Sequence, residues 1–302
     1  MKSFEEVLTK INKESLLTVA IAAAEDEDVL IAVKKALEIG LAKFHLVGNQ
    51  DQIEKICSTI SLSLDQVTIT NEPNPVNASL KAVELVSSGQ CQILMKGLLP
   101  TSTILKAVLN KEIGLRTGRI LSHVAVFDLP AFNRFIFLTD AAMNIAPDLS
   151  QKAGIIQNAV DLAKSLGIST PKVAPIAAVE TVNPDMQATL DASLLSKMAD
   201  RGQIKDAIVD GPLALDIAIS VEAAKHKGIK SEVAGHADIL LVPTIEVGNA
   251  LYKSLIYFSN AKVGAVVTGA KAPIVLTSRA DSPEAKVNSI ALAILVAQNN
   301  AI

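Results

Sequence analysis

Short apolar runs alternate with longer stretches in which apolar positions recur at helical spacing. The runs Leu16–Ala24, Phe44–Val47, Ile93–Met95, Val124–Phe127 and Phe135–Leu138 read as buried strands. Val173–Val179, Ala207–Val209, Ile239–Val242, Val263–Val267 and Ile274–Leu276 continue the series. Helical patterns lie between most of them, at Asp28–Ile39, Thr103–Leu109, Leu149–Leu166, Met186–Ala199, Leu213–His226, Gly248–Phe258 and Pro283–Val296. Repeated strand and helix predict a largely parallel sheet with both faces covered. Gly40, Gly167 and Gly228 stand just past helical patterns, where a left-handed closing residue is wanted. Ser282-Pro283-Glu284 predicts a capped start to the last helix. The five residues Leu129–Asn133 leave no room for a helix, so the flanking strands are expected to form an antiparallel hairpin, and either the sheet is mixed or a second domain begins there.

At 302 residues, two domains are the natural expectation. Half the residues are hydrophobic but only 3% are aromatic and none is Trp, so the core is aliphatic, as in α/β layers. A net charge of −3 argues against nucleic acid as a partner, because backbone phosphates demand a basic surface. No run of about 18 apolar residues predicts a membrane span. The opening Met1-Lys2-Ser3-Phe4-Glu5-Glu6 does not read as a secretion signal, so a cytoplasmic location is expected. Cys57 and Cys91 fit a reducing compartment, and the four scattered histidines lack zinc-ligand spacing, so no metal is expected.

In open α/β sheets ligands bind beyond the carboxyl ends of strands. Six predicted strand ends lead into small, hydroxylic or charged residues. They are Lys96-Gly97 with Thr101-Ser102-Thr103, Thr139-Asp140 with Asn144, Glu180–Asn183, Asp210-Gly211-Pro212, Pro243-Thr244 with Gly248-Asn249, and Thr277–Asp281. Loops are polar and helices need caps in any protein, so each site alone has a bland reading. Ser278-Arg279 is the sharpest, because the following helix N-terminus offers unpaired amides and Arg a planar fork for phosphate oxygens. The bland alternative there is a surface ion pair between Arg279 and Asp281. No GxGxxG, HExxH, GxSxG or CxxC occurs. Gly264 and Gly269 have P-loop spacing, but Ala270 replaces the lysine.

The residues Asp210-Gly211-Pro212-Leu213-Ala214, Ala237-Asp238-Ile239 with Pro243, Gly248-Asn249, Tyr252-Lys253 and Ser278-Arg279 resemble the phosphate acetyl/butyryltransferase family. Lys96-Gly97 and Asp140–Asn144 with Pro147 extend the resemblance over the whole chain. Pro243–Asn249 and Thr277–Ser282 are similar to the butyryl branch rather than the acetyl branch.

The resemblance implies an isocitrate/isopropylmalate dehydrogenase-like fold with two three-layer α/β/α domains and a site in the cleft between them. One domain would hold 1–130 with 268–302, the other 131–267. It implies reversible transfer of a butyryl or other short acyl group from coenzyme A to inorganic phosphate in a ternary complex. The CoA thioester and phosphate are then substrates, no cofactor is permanently bound, and a homo-oligomer, at least a dimer, is expected. Ser278, Arg279 and Asp281 become the catalytic candidates, and Lys96, Gly97, Thr101, Ser102, Asn249 and Arg279 the phosphate- or CoA-binding candidates. Where the acetyl branch carries an Asp in the first turn of the last helix, this chain has Ala285, leaving Asp281, Glu284 or no residue as general base. Phosphate acetyltransferase, a metal-dependent hydroxyacid dehydrogenase of the shared fold and a non-catalytic acyl-CoA-sensing module are the competing readings. The clustered aspartates that the dehydrogenase needs are not evident in the sequence.

Overall fold

The computed structural model describes residues 1–278 and 281–300. The elements, in chain order, are α1 (Phe4–Lys10), β1 (Thr18–Ala22), α2 (Glu27–Glu38), β2 (Lys43–Gly48), α3 (Gln50–Ile60), β3 (Val67–Asn71), α4 (Pro75–Ser87), β4 (Ile93–Lys96) and α5 (Thr101–Val108). Next come β5 (Ser122–Asp128), β6 (Phe135–Thr139), α6 (Leu149–Ser165), β7 (Lys172–Pro175), α7 (Gln187–Asp200), β8 (Ile208–Val209), α8 (Leu215–Ile219) and α9 (Val221–His226). The chain ends with β9 (Ile239–Leu241), α10 (Ile245–Ser259), β10 (Lys262–Thr268), β11 (Ile274–Val275) and α11 (Pro283–Asn300).

Two compact units divide the chain. One holds residues 4–119 and 264–302, the other 1–3 and 120–263. The sequence reading drew its lines at 130/131 and 267/268. The hairpin of β5 and β6, paired from Val124↔Thr139 to Asp128↔Phe135, lies whole in the second unit.

In the first unit the strands run β3-β2-β1-β4-β11-β10. All neighbours are parallel except β10 and β11, which meet antiparallel at Val267↔Ile274. β4 is buried at all four positions and β1 at four of five, as a sheet covered on both faces requires. α2 packs on α11 and α3, while α4 packs on α5 and across β1 and β2, forming the two covering layers. Asp26 caps α2 by accepting from the Val29 amide at 2.9 Å, a contact worth about 1 kcal/mol. Gly264 sits within β10, not in a phosphate loop. A Cβ there would stand 2.9 Å from the Asn288 carbonyl carbon, so this glycine lets α11 lie close on the strand.

In the second unit the order is β5-β6-β9-β7-β8, parallel apart from the β5–β6 hairpin. α6 contacts β5, β6 and β9, and its start carries a reciprocal capping box between Asp148 and Gln151. Phe127, Phe135 and Phe137 are fully buried, so the few aromatics concentrate here. Lys152 of α6 and Asp191 of α7 form a buried ion pair at 2.5 Å.

Sequence and structure differ at identifiable places. The strand expected to run to Val179 ends at Pro175, with only a bridge from Ile176 to Leu213 beyond it. Glu180–Asn183 therefore does not directly follow a strand end. The helix expected over Leu213–His226 is two helices. Ser220 between them is extended, with φ −117° and ψ 117°, and its hydroxyl caps α9 by accepting from Ala223 N. α1, α3, β3 and α4 were not foreseen. Gly40, Gly167 and Gly228 all have positive φ, as their positions after helices predicted.

Candidate active site

Within the first unit, β4 and β11 are parallel neighbours in the register Ile274↔Leu94 and Val275↔Met95. The segments after them, 97–102 and 276–278, therefore leave the sheet side by side at its carboxyl edge. This brings Lys96, Gly97, Thr101 and Ser102 to the same edge as Ser278 and Asp281. Arg279 lies outside the described residues.

Gly97 cannot carry a side chain where it stands: an added Cβ would meet the Ala23 carbonyl oxygen at 2.0 Å. Its amide donates to Ala22 O at 2.8 Å, and the Leu98 amide donates to Ala23 O at 2.7 Å. The turn after β4 is thus stitched to the end of β1. Lys96 is buried, and its ammonium donates to the carbonyls of Gly97 at 3.1 Å and Leu99 at 3.3 Å. Thr101 and Ser102 are exposed in the first turn of α5. The N-cap of that helix is Pro100 and no side chain caps it, so these hydroxyls are not spent on the helix start.

The exposed Ser278 donates its amide to Asp281 Oδ2 at 2.7 Å, and the Asp281 amide donates to Ser278 O at 3.1 Å. Ser282 Oγ then accepts from Ala285 N at 3.2 Å, the cap that the Ser-Pro-Glu signature predicted. Ala285 is buried and Glu284 is exposed. Lys286 is also buried, and its ammonium donates to Asp281 O at 2.5 Å. Sequence reasoning missed Lys286, because a charged residue in a first helical turn reads as solvated.

The second unit has its own ordered strand end. Asp140 follows β6, is 2% exposed, and spends both carboxylate oxygens on donors of its own neighbourhood. Oδ1 accepts from the Ala142 and Met143 amides, each at 2.9 Å. Oδ2 accepts from Asn144 Nδ2 at 2.6 Å and from the His123 amide at 3.2 Å. Gly248 of α10 rests on this loop, since a Cβ there would stand 2.6 Å from Asp140 O. Asn249, the remaining binding candidate, is exposed in the second turn of α10.

Among the described residues, no group of three or more His, Cys, Asp or Glu is placed to hold a metal ion, and no helix is long and apolar enough to cross a membrane. Burial pushes the Cys91 thiol up to about 11, and the Cys57 thiol is likewise raised by burial. Neither sulfur is a ready nucleophile.

The chain is similar to known proteins along nearly its full length. The chain is 55% identical over 299 residues to a phosphate butyryltransferase of Clostridium acetobutylicum, covering 99% of each. It is 44% identical over 294 residues to a phosphate acetyltransferase of Thermotoga maritima, covering 97% of this chain and 100% of that one. Among solved structures it superposes on a branched-chain phosphotransacylase of Enterococcus faecalis with a TM-score of 0.83 and 40% identity, covering 93% of this chain and 99% of that one. The profile of the phosphate acetyl/butaryl transferase family matches residues 67–294, most of the sequence. With a mostly parallel α/β fold, the polar turns gathered after β4 and β11, and relatives of this name along nearly its full length, the chain belongs to the phosphate acetyl/butaryl transferase family of enzymes.

Proposed function

We propose that the chain transfers a butyryl group from butyryl-CoA to inorganic phosphate, giving butyryl phosphate and free CoA, and that it runs in both directions. The observation that carries the butyryl assignment is the identity of 55% with a phosphate butyryltransferase along 99% of both chains, against 44% with an acetyltransferase. A phosphate oxygen attacks the thioester carbonyl carbon, the carbonyl π pair moves onto oxygen, and collapse expels the thiolate as the C–S bond breaks. The remaining phosphate proton passes to the thiolate through solvent. Arg279 holds the attacking phosphate, and Ser278 donates its hydroxyl to the developing oxyanion. A donor of that kind contributes about 3–4 kcal/mol in acyl-transfer sites. The turns after β4 and β11, with Lys96, Gly97, Thr101 and Ser102, supply the surroundings for phosphate and CoA. Placing two bound reactants in contact accounts for much of the remaining acceleration. Phosphate-dependent release of CoA thiol tests the assignment, with acetyl-CoA as the competing substrate and CoA binding without turnover as the mark of a sensing module.

The protein is further proposed to act in the cytoplasm as a homo-oligomer, with small molecules as its substrates. Self-association is favoured by α10, which exposes Val247 at 41%, Tyr257 at 68% and Phe258 at 88%. Beside these residues an apolar pocket of about 240 Å³ is lined by Leu129, Phe132 and Ile136 with Leu215, Leu251 and Leu255. An apolar knob and an apolar pocket on one surface are self-complementary, as a two-fold interface requires.

A further inference from the structure

The turn after β11 rests on a residue that no part of the proposed chemistry employs. Lys286 is 2% exposed and lies in the first turns of α11, which begins at Pro283. Its placement is doubly unfavourable. An ammonium loses its hydration on burial, and a cation near a helix N-terminus opposes the dipole. Its side chain reaches back to the turn and donates to Asp281 O at 2.5 Å. A charge-assisted bond of that kind is the strong class of hydrogen bond and offsets part of the burial cost.

Asp281 is in turn bound twice to Ser278. Its carboxylate accepts the Ser278 amide at 2.7 Å, and its own amide donates to Ser278 O at 3.1 Å. A continuous chain of contacts therefore runs from the Lys286 ammonium through Asp281 to Ser278. The neighbouring turn has a similar device, where the buried Lys96 ammonium donates to Gly97 O and Leu99 O.

We propose that Lys286 is a positioning residue that holds Asp281, and through it Ser278, in place for the reacting phosphate. This rests on the phosphate acyltransferase reading above. By engaging the Asp281 carbonyl from within, Lys286 occupies an acceptor that would otherwise add negative potential to the turn. It also sets a positive charge beneath a site that receives an anion, in a medium where charges are poorly screened. Since it acts through Asp281, it governs where Ser278 stands without touching substrate.

The test compares Lys286→Met, which keeps the bulk and removes the charge, with Lys286→Arg, which keeps the charge. Two readouts are taken: initial rates against both substrates, and amide hydrogen exchange over residues 276–284. For Lys286→Met the expected result is a kcat lower by about tenfold or more, a phosphate KM raised several-fold and an unchanged butyryl-CoA KM. Exchange at the Ser278 amide should rise, and Lys286→Arg should recover part of both effects. A folded Lys286→Met whose kcat, phosphate KM and Ser278 exchange match the parent overturns the proposal. So does a variant that only melts earlier, with unaltered kinetics below its transition. Should Lys286→Met fail to fold, Asp281→Ala cuts the same chain one link nearer to Ser278 and must give the same kinetic and exchange signature; parent-like behaviour there overturns the proposal equally. If the parent protein shows no phosphate-dependent thiol release, the functional reading fails, and the exchange comparison alone decides whether Lys286 holds the turn.

Discussion

The carboxylate of Asp281 accepts a hydrogen bond from the backbone amide of Ser278 at 2.7 Å. This relationship bears on the choice of general base left open by Ala285. A carboxylate bound to the amide of Ser278, the proposed oxyanion donor, is engaged in structure. Asp281→Ala is expected to lower kcat by about a hundredfold, the cost of a misplacement near 1 Å, with no change in the shape of the pH–rate profile. Loss of an ionisation limb from that profile would make Asp281 the base instead.

Arg279 is assigned to the attacking phosphate. Its replacement in Arg279→Ala removes a forked, charged donor set, and the phosphate KM should rise by about ten- to a hundredfold while that for butyryl-CoA changes little. Initial rates at varied phosphate measure this directly. An unchanged phosphate dependence rules out the assignment.

The two thiols give a pH-dependent expectation. The reactive species is the thiolate, and burial raises the Cys91 value to about 11. A raised thiol value means less thiolate at any given pH below it. At pH 8 about one part in a thousand is ionised, increasing tenfold with each pH unit toward 11. Native protein should therefore label slowly with an aromatic disulfide reagent at pH 8, and both cysteines should label at once after unfolding. Rapid labelling of the folded protein at pH 8 would contradict the burial of both side chains.

Self-association through α10 has a simple check. Phe258→Glu places a charge on the most exposed large apolar residue of that helix. Light scattering should show a smaller particle for the variant than for the parent. Equal masses would place the interface elsewhere.

The strands that position the candidate site were legible because they are buried on both faces and read as unbroken apolar runs. β4 and β11, with their polar exits at Lys96 and Ser278, belong to this class. β3 was not legible. None of its five residues is buried, and its sequence Val-Thr-Ile-Thr-Asn at the sheet margin carries little of the core signal. In α3 only Ile53 and Cys57 are buried, so the helical stripe is too thin to stand out. The start of α4 is hidden in Pro73-Asn74-Pro75, which reads as loop, although Asn74 caps the helix and Pro75 occupies its first turn. At the site, the resemblance pointed to Ser278 and Asp281 but not to the bond between them. Lys286 could not be found by pattern at all, since only the folded chain shows its ammonium turned inward.

The central claim is tested most directly by release of free CoA thiol from acetyl-, butyryl- and isobutyryl-CoA, each with and without phosphate. The expected result is release that requires phosphate and is fastest with a four-carbon acyl group. A difference of one or two methylenes changes pocket binding by about 1–3 kcal/mol, enough to rank the substrates clearly. Tight binding of CoA without phosphate-dependent release of thiol would contradict the account.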